Sequence, residues 1–388
     1  MTTSRVSTPD RREDTRYAVR PLDGITCVRI GYGKVAAIHE QFLRGAGVAT
    51  LAVLDDEAER RAAAVGDGYR VVGSLNEASE LSPTFWDVCA STASHARLID
   101  GIARVNPAAR ILIEKPVCDF ADIQRLRMTL ARNSLQIVVN ENYFSSEVTE
   151  RVRRIAFEEL GLRPKRLLVE MTKHRLRDAL SGRFMDHALG AFGYEGPHLV
   201  AIARQFIPSL SEDDVVGASL EDTAVIDEGG PQKFQGQGGG TIRLVSREGI
   251  AVELYTSLLG VPRHLVPPYT DETVRLLRSG DDVRYRMVSV QGVDRTGREL
   301  SVAGFYEPIV GLLRGEGAVA ILSDGRPMRF VGPFADDTMR LHLIRAVRHL
   351  CDGAPNPCNV ETAIECVNLL NRARRLAGAV LLEYEETG

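Results

Sequence analysis

The sequence has no CxxC pair, no apolar signal-like segment near its start and no apolar run long enough to span a membrane. Its six cysteines are scattered, and Cys27 and Cys89 lie inside apolar, strand-like runs. A zinc site formed by Cys351, Cys358 and Cys366 would match no common ligand spacing. We therefore expect buried free thiols in a protein of the reducing cytoplasm.

An excess of positive charge is also missing. The formal net charge is −4 and the pI is about 6.1, which argues against nucleic acid or an anionic membrane as the main partner. The arginine-rich stretch RVRRIAFEEL carries glutamates at helical spacing and predicts a solvated helix face. The eight histidines form no HExxH pattern, and we expect no metal.

The 388 residues are enough for two domains, preceded by a polar arm at residues 1–23. Residues 24–144 alternate short apolar runs with segments of helical periodicity. The strand candidates are ITCVRIG, TLAVLD, YRVVG, WDVCAS, RILIE and QIVVNE. Strands that alternate with helices predict an α/β Rossmann domain, in which a doubly wound parallel sheet is covered on both faces.

Residues 145–388 predict a second α/β domain with a large open, mainly antiparallel sheet. Strands such as KRLLVEMTK and TIRLVSREGIAVELYTSLLG follow one another there without intervening helices, and a hairpin turn is expected at residues 247–249. The last part, from Asp336, has helical periodicity. The run GGPQKFQGQGGG at 229–240 is rich in glycine and predicts a mobile loop that acts as a lid or subunit contact.

A glycine motif follows the first predicted strand. In IGYGKVAAIH, Gly31, Gly33 and Ala36 match G-x-G-x-x-A/G, and Lys34 and Val35 would begin the helix that comes next. Glycines at these positions permit a tight turn and let backbone amides approach a pyrophosphate at the helix N-terminus. The motif predicts a dinucleotide site.

An acid at the end of the second predicted strand extends this site. Asp55 lies about 20 residues past the glycines, where a carboxylate binds the adenosine ribose hydroxyls. Asp55 and Asp56 would repel a 2′-phosphate, so NAD is favoured over NADP. The alternative is that Asp55 only caps the following helix.

Several motifs together resemble those of the Gfo/Idh/MocA family, which includes glucose–fructose oxidoreductase and inositol dehydrogenase. They are IGYGKVAAIH, STASHARL, ILIEKPV, VNENYFSS and YEGPHLVAIA, in the family's order and spacing. The resemblance covers residues 24 to 385. It implies a Rossmann domain followed by a domain whose open sheet forms a subunit interface, and so a homodimer or homotetramer.

The resemblance implies a catalytic role for Lys115 of the E-K-P motif. At the carboxyl end of a parallel strand, a lysine can bind a substrate hydroxyl and stabilise a developing alkoxide. The family often has a cis peptide before the proline, which would fix the direction of the lysine. Glu114 is expected to contact Lys115 or backbone amides close to the cofactor.

The second catalytic element of the family is a helical Asp-x-x-x-His. Here it matches YEGPH, so His198 falls on the proton-transferring histidine and Tyr194 on the aspartate position. Either Tyr194 itself contacts the substrate or proton, or Glu195 or Asp186 supplies the carboxylate.

Other candidates come from the loops around this predicted cleft. Ser91, Thr92 and His95 follow the fourth predicted strand and are candidates for nicotinamide contact. Asn142, Tyr143, Lys173 and His174 are candidates for substrate contact, each with a structural role as the alternative.

These features predict an NAD-dependent oxidoreductase that acts on a secondary alcohol or ketone of a sugar, amino sugar or cyclitol, in a specialised biosynthetic pathway. Two alternatives stay open. A redox-neutral epimerase or eliminase would hold NAD tightly and return the hydride, and a non-catalytic regulator would only bind the nucleotide.

Overall fold

The computed structural model describes residues 21–175, 186, 188–227, 230–267, 284–306 and 313–386. The predicted arm lies almost entirely outside this part of the chain. Leu22, near its end, is buried against the first strands.

The first sheet has five parallel strands in the order β2-β1-β3-β4-β5. They are β1 (Thr26–Ile30), β2 (Ala49–Leu54), β3 (Phe85–Val88), β4 (Arg110–Glu114) and β5 (Gln136–Asn140). The connecting helices are α1 (Lys34–Gly45), α2 (Ala58–Gly66), α3 (Leu75–Glu80), α4 (Thr92–Val105) and α5 (Ile123–Arg132). The predicted Rossmann-type parallel sheet with connecting helices is thereby confirmed.

One predicted strand is wrong. The segment YRVVG forms only an isolated bridge between Val71 and Val53 of β2. The chain turns at once into α3, whose first helical turn is capped by Ser74. Its apolar residues serve the core, where Val72 is buried, without extending the sheet.

The second sheet has eight strands and is mainly antiparallel, as predicted, with β6 and β9 as its one parallel pair among the described strands. Its order is β13-β12-β11-β10-β6-β9-β8-β7. The strands are β6 (Arg163–Lys173), β7 (Val215–Asp227), β8 (Gly230–Val245), β9 (Ala251–Ser257), β10 (Arg284–Val293), β11 (Glu299–Tyr306), β12 (Glu316–Ser323) and β13 (Arg326–Ala335). Gly249, with φ +78°, turns the predicted hairpin between β8 and β9.

The glycine-rich run is a strand, and its prediction as a mobile loop is wrong. Residues 230–240 belong to β8, which pairs with both β7 and β9. A side chain at Gly240 would meet the Phe192 ring at 2.5 Å, and one at Gly238 would meet a backbone oxygen of β7 at 2.8 Å. The glycines there permit close packing.

Helices cover one face of the second sheet and return to the first. These are α6 (Glu147–Arg153), α7 (Phe192–Phe206), α8 (Thr338–Asp352) and α9 (Val360–Glu386). Apolar residues of α8 join the core formed by the first sheet, and α9 contributes to the cores of both sheets. The domain boundary at residue 145 stays a prediction.

Two expectations from the sequence concern the cysteines and membrane-spanning segments. Each of the six cysteines is a free thiol, and Cys89 and Cys351 are the partly exposed ones. Within the described ranges, every helix is too short or too polar to cross a bilayer.

Candidate functional site

The candidate site lies where the parallel strands end. In the first sheet the strand order changes direction between β1 and β3, and ligands of such sheets bind in the crevice beyond the carboxyl ends at this point. The loops that leave β1 and β3 begin at Gly31 and Cys89, which border this crevice. Lys115 and Glu141 follow the ends of β4 and β5 at the same edge of the sheet.

The glycine motif has the geometry of a phosphate-binding turn. Gly31 has φ +89°, and a Cβ there would lie 2.8 Å from the Ala90 amide nitrogen, so the two loops pack backbone to backbone. Gly33 is the N-cap of α1, and a Cβ there would meet nothing within 4 Å. The space beside Gly33, at the N-terminus of the helix that begins with Lys34, Val35 and Ala36, is therefore open, which fits a pyrophosphate.

Asp55 is buried at the end of β2 and accepts two backbone hydrogen bonds. Its Oδ2 accepts from the Tyr32 amide at 2.7 Å and its Oδ1 from the Glu57 amide at 2.8 Å. Glu57 is the N-cap of α2, so Asp55 binds the residue that precedes the following helix. A carboxylate has further lone pairs, so capping leaves room for the predicted ribose contact.

The loop after β3 divides into accessible and buried residues. Ser91 is exposed as the N-cap of α4, and Thr92 begins that helix. His95 is fully buried, with Nδ1 2.8 Å from the Pro116 carbonyl oxygen and Nε2 3.0 Å from that of Ala90. Because both ring nitrogens face the main chain, His95 joins two cleft loops, and the expected direct nicotinamide contact is not supported.

Lys115 reaches from the first domain to the helix that carries His198. The Lys115–Pro116 peptide is cis, as the resemblance implied. Lys115 Nζ donates to the Tyr194 carbonyl oxygen at 3.2 Å. Tyr194 precedes His198 by about one helical turn, so the ammonium group lies beside the turn that leads to His198. Tyr194 stands where the resemblance implies an aspartate, and Lys115 contacts the backbone carbonyl of this residue.

The carboxylate partner of His198 is Glu141, a residue that the sequence did not single out. His198 Nδ1 donates to Glu141 Oε1 at 2.5 Å, and both side chains are largely buried. With Nδ1 engaged, the other ring nitrogen, Nε2, is left to exchange a proton. Glu141 directly follows β5, and its position at a strand end was the signal that could have found it.

The two carboxylates proposed as substitutes for the aspartate have other partners. Glu195 accepts from Arg175 and Arg286 at 2.8 and 2.9 Å. Burial alone would raise the pKa of Glu195, but the two arginines hold it well below its ordinary value. Asp186 accepts from two backbone amides of the turn before α7. Neither is hydrogen-bonded to His198, and Glu141 corrects that prediction.

The remaining candidates mostly support the cleft. Asn142 Nδ2 donates to Thr338 Oγ1 at 2.6 Å, which ties the end of β5 to α8. Tyr143 is buried, its ring centroid lies 4.9 Å from that of His198, and its hydroxyl accepts from Arg286 at 2.7 Å. We therefore expect Asn142 and Tyr143 to position the site without touching substrate.

Lys173, Glu114 and His174 complete the predicted set. Lys173 ends β6 on the face that carries the buried Val169 and Met171, and its substrate contact stays a prediction. His174 forms an isolated bridge with Leu259. Glu114 points into the first domain and accepts from His39 at 2.8 Å, so the expected hydrogen bond to Lys115 is replaced by one to a histidine.

No protein-family model and no curated protein sequence match this chain. Solved structures do resemble it in fold. An oxidoreductase from Agrobacterium radiobacter in complex with NAD+, L-tartaric acid and magnesium is 14% identical, with a TM-score of 0.67 over 91% of this chain and 96% of that chain.

Two dehydrogenases are similar at the same level. UDP-N-acetylglucosamine 3-dehydrogenase GnnA from Acidithiobacillus ferrooxidans is 15% identical, with a TM-score of 0.66 over 92% of this chain and 99% of that chain. The WlbA dehydrogenase from Bordetella pertussis, in complex with NADH and UDP-GlcNAcA, is 13% identical, with a TM-score of 0.65 over 92% and 97%. The chain therefore has the same fold as these oxidoreductases, which agrees with the resemblance of its motifs to the Gfo/Idh/MocA family.

Proposed function

We propose that this protein is an NAD-dependent oxidoreductase that moves a hydride between nicotinamide and a secondary alcohol or ketone of a sugar, amino sugar or cyclitol. The observation that carries the proposal is the convergence of Lys115 with the His198–Glu141 pair at the sheet edge that also carries the glycine turn. A lysine ammonium and a carboxylate-bound imidazole are the groups that alcohol oxidation needs at the reacting oxygen.

Each residue has a defined task in this proposal. Bound NAD would accept the hydride from the carbinol carbon. Lys115 would donate a hydrogen bond to the substrate oxygen and stabilise its developing negative charge. His198 would take the hydroxyl proton on Nε2, while Glu141 holds Nδ1 and stabilises the ring as it becomes charged. In the reverse direction the same groups would protonate the alkoxide.

The similar structures support the choice of cofactor and substrate class. One is a UDP-N-acetylglucosamine 3-dehydrogenase, and another holds NADH with UDP-GlcNAcA. Spectroscopic assays with sugars, amino sugars, nucleosides and cyclitols, run in both directions, should find a substrate that changes nicotinamide absorbance. Absence of turnover across this panel would favour the non-catalytic regulator.

The preference for NAD depends on Asp55. Asp55→Asn should weaken NAD binding by about tenfold and bring NADP affinity close to that for NAD, because the repulsion of a 2′-phosphate is removed. Titration of both dinucleotides checks this, with the exposed helical substitution Glu59→Gln as the control. Wild-type protein that binds NADP as tightly as NAD would contradict the role of Asp55.

We also propose a cytoplasmic homodimer or homotetramer that associates through the second sheet. Strand β13 lies at the edge of that sheet, and its Met328 and Phe330 are about half exposed, which is consistent with an interface. Replacement of both residues by serine should lower the mass measured by light scattering. If the mass measured for the wild-type protein is that of a single chain, association is contradicted.

A further inference from the structure

A chain of buried charges crosses the first domain behind Lys115. His39 of α1 is fully buried, with Nδ1 2.8 Å from Asp87 Oδ1 and Nε2 2.8 Å from Glu114 Oε1. Arg29 donates to Asp87 at 2.8 Å and to Glu40 at 2.6 Å. Positive and negative groups therefore alternate from Glu40 to Glu114. The proposed mechanism does not use this chain.

The two carboxylate contacts favour a charged His39 ring. Each ring nitrogen faces a carboxylate oxygen, and each must carry a hydrogen to form its bond. Burial alone favours the neutral ring, but the Asp87 carboxylate beside it acts to raise the pKa of His39 above its ordinary value. Burial would raise the pKa of Glu114, yet its hydrogen bond from His39 lowers it.

Other groups around the ring do not replace this charge. Asn140 Nδ2 of β5 donates to the same Glu114 oxygen as His39 Nε2, and the two nitrogens lie 2.9 Å apart. Burial lowers the pKa of His342, on α8, to about 4, so that ring is neutral near pH 7. Burial also raises the pKa of the Cys89 thiol to about 11. Cys89 is therefore a neutral thiol beside the ring.

The same residues have the composition of a small metal site. Ligand atoms of His39, Asp87 and Cys89 lie within 4.8 Å of one another. A cation there would have to displace two protons and share Asp87 with the Arg29 guanidinium. Hydrogen bonding accounts for every one of these contacts, so the group carries no metal proposal.

The position of Glu114 links this chain to the cleft. Glu114 and Asn140 are paired residues at the ends of β4 and β5, and both side chains point towards His39. Lys115 directly follows Glu114, and Glu141 directly follows Asn140. The side chain of Lys115 points into the cleft towards Tyr194, and that of Glu141 points towards His198. The buried His39 ring thus lies behind both parts of the candidate catalytic group, Lys115 and the Glu141–His198 pair.

We propose that the charged His39 ring is a positioning residue for the reaction: by holding Glu114 and Asn140 together, it sets the direction in which Lys115 and Glu141 leave the two strands. The inference rests on the proposed function, because it concerns residues assigned to that chemistry. It adds a residue of the cofactor-binding helix, α1, to the set that controls the proton and hydride step.

The variant His39→Gln keeps one donor and removes the charge. We expect kcat to fall by about 10- to 100-fold, while the substrate KM and NAD affinity change by less than about threefold, because the reacting groups are misdirected but the cofactor turn is intact. The acid limb of the kcat profile should move to higher pH, since Glu114 loses its cation and its pKa rises.

Two controls separate positioning from stability. His342→Gln removes another buried histidine, which lies on α8 against β5 of the first sheet, so it should lower the unfolding temperature without shifting the acid limb. The double variant His39→Gln/Glu114→Gln removes both charges and should return the acid limb to its wild-type position. A wild-type kcat and profile in His39→Gln, or the same shift in His342→Gln, would overturn the proposal.

A measurement without turnover keeps the two proposals distinguishable. The chain has only five lysines, so isotope-labelled methyl groups on Lys115 can be resolved by NMR. The Lys115 signal should change its position and pH response in His39→Gln but not in His342→Gln. If no substrate is turned over but this change is seen, the oxidoreductase proposal fails and the positioning proposal stands. A neutral wild-type His39 ring near pH 7, seen in its nitrogen resonances, overturns the positioning proposal even if His39→Gln does not fold.

Discussion

Replacing Lys115 by alanine should lower kcat by roughly 10²- to 10³-fold, with NAD affinity changed by less than about threefold. The ammonium group lies at the cleft beside the first turn of α7, whereas the glycine turn that fits the cofactor is formed by a separate loop. The loss should fall on kcat because the lysine acts mainly on charge that develops in the transition state.

The same experiment has a matched control and a rescue. Lys165 is exposed and pairs with Glu299 on the second sheet, so Lys165→Ala should leave kcat unchanged. Small alkylamines should restore part of the activity of Lys115→Ala, because they supply a cation to the vacated space. Full turnover in Lys115→Ala would show that the lysine does not stabilise the reacting oxygen.

The second large effect is expected at His198. His198→Gln should lower kcat by about 10²- to 10⁴-fold, because the ring that accepts the substrate proton is lost. Glu141→Gln should cost roughly tenfold or more, since Nδ1 loses its charged partner and the imidazolium is less stabilised. Steady-state kinetics over a range of pH, with NAD binding measured separately, check both values.

A double variant tests whether the two residues act as a pair. If Glu141 works through His198, the combined change His198→Gln/Glu141→Gln should cost about as much as His198→Gln alone. Strictly multiplicative losses would mean that Glu141 acts on the substrate by another route. Tyr194→Phe offers a further control at the position of the missing aspartate, because its backbone carbonyl, which contacts Lys115, is retained.

Local patterns predicted the parts of the fold that depend on one stretch of chain. The five parallel strands, the helix after the glycine turn and the hairpin at Gly249 all follow from apolar periodicity and turn residues. The glycine-rich first part of β8, residues 230–240, was missed because its composition favours a loop. Glycine is required there because Phe192 and the β7 backbone, which are remote in sequence, pack closely against it.

The site was predicted less completely, for the same reason. Lys115 and His198 belong to recognisable motifs, but the partner of His198 depends on where β5 ends relative to α7. Glu141 directly precedes Asn142 and Tyr143, which were considered, and sequence spacing alone cannot tell which of these three neighbours faces the cleft. His95 illustrates the converse, because its motif position suggested the cofactor while its ring is enclosed by main-chain carbonyls.

The most direct test of the account is a single-turnover measurement of nicotinamide absorbance. Wild-type protein and Lys115→Ala, both loaded with NAD, would be mixed rapidly with each sugar, amino sugar and cyclitol of the panel. We expect reduced nicotinamide to form in the wild type with at least one of them. The signal should last for a dehydrogenase and be transient for a redox-neutral enzyme. In Lys115→Ala the reduced nicotinamide should form at least about 100-fold more slowly. Equal rates in the two proteins, or no reduction of bound NAD in the wild type by any of them, would contradict it.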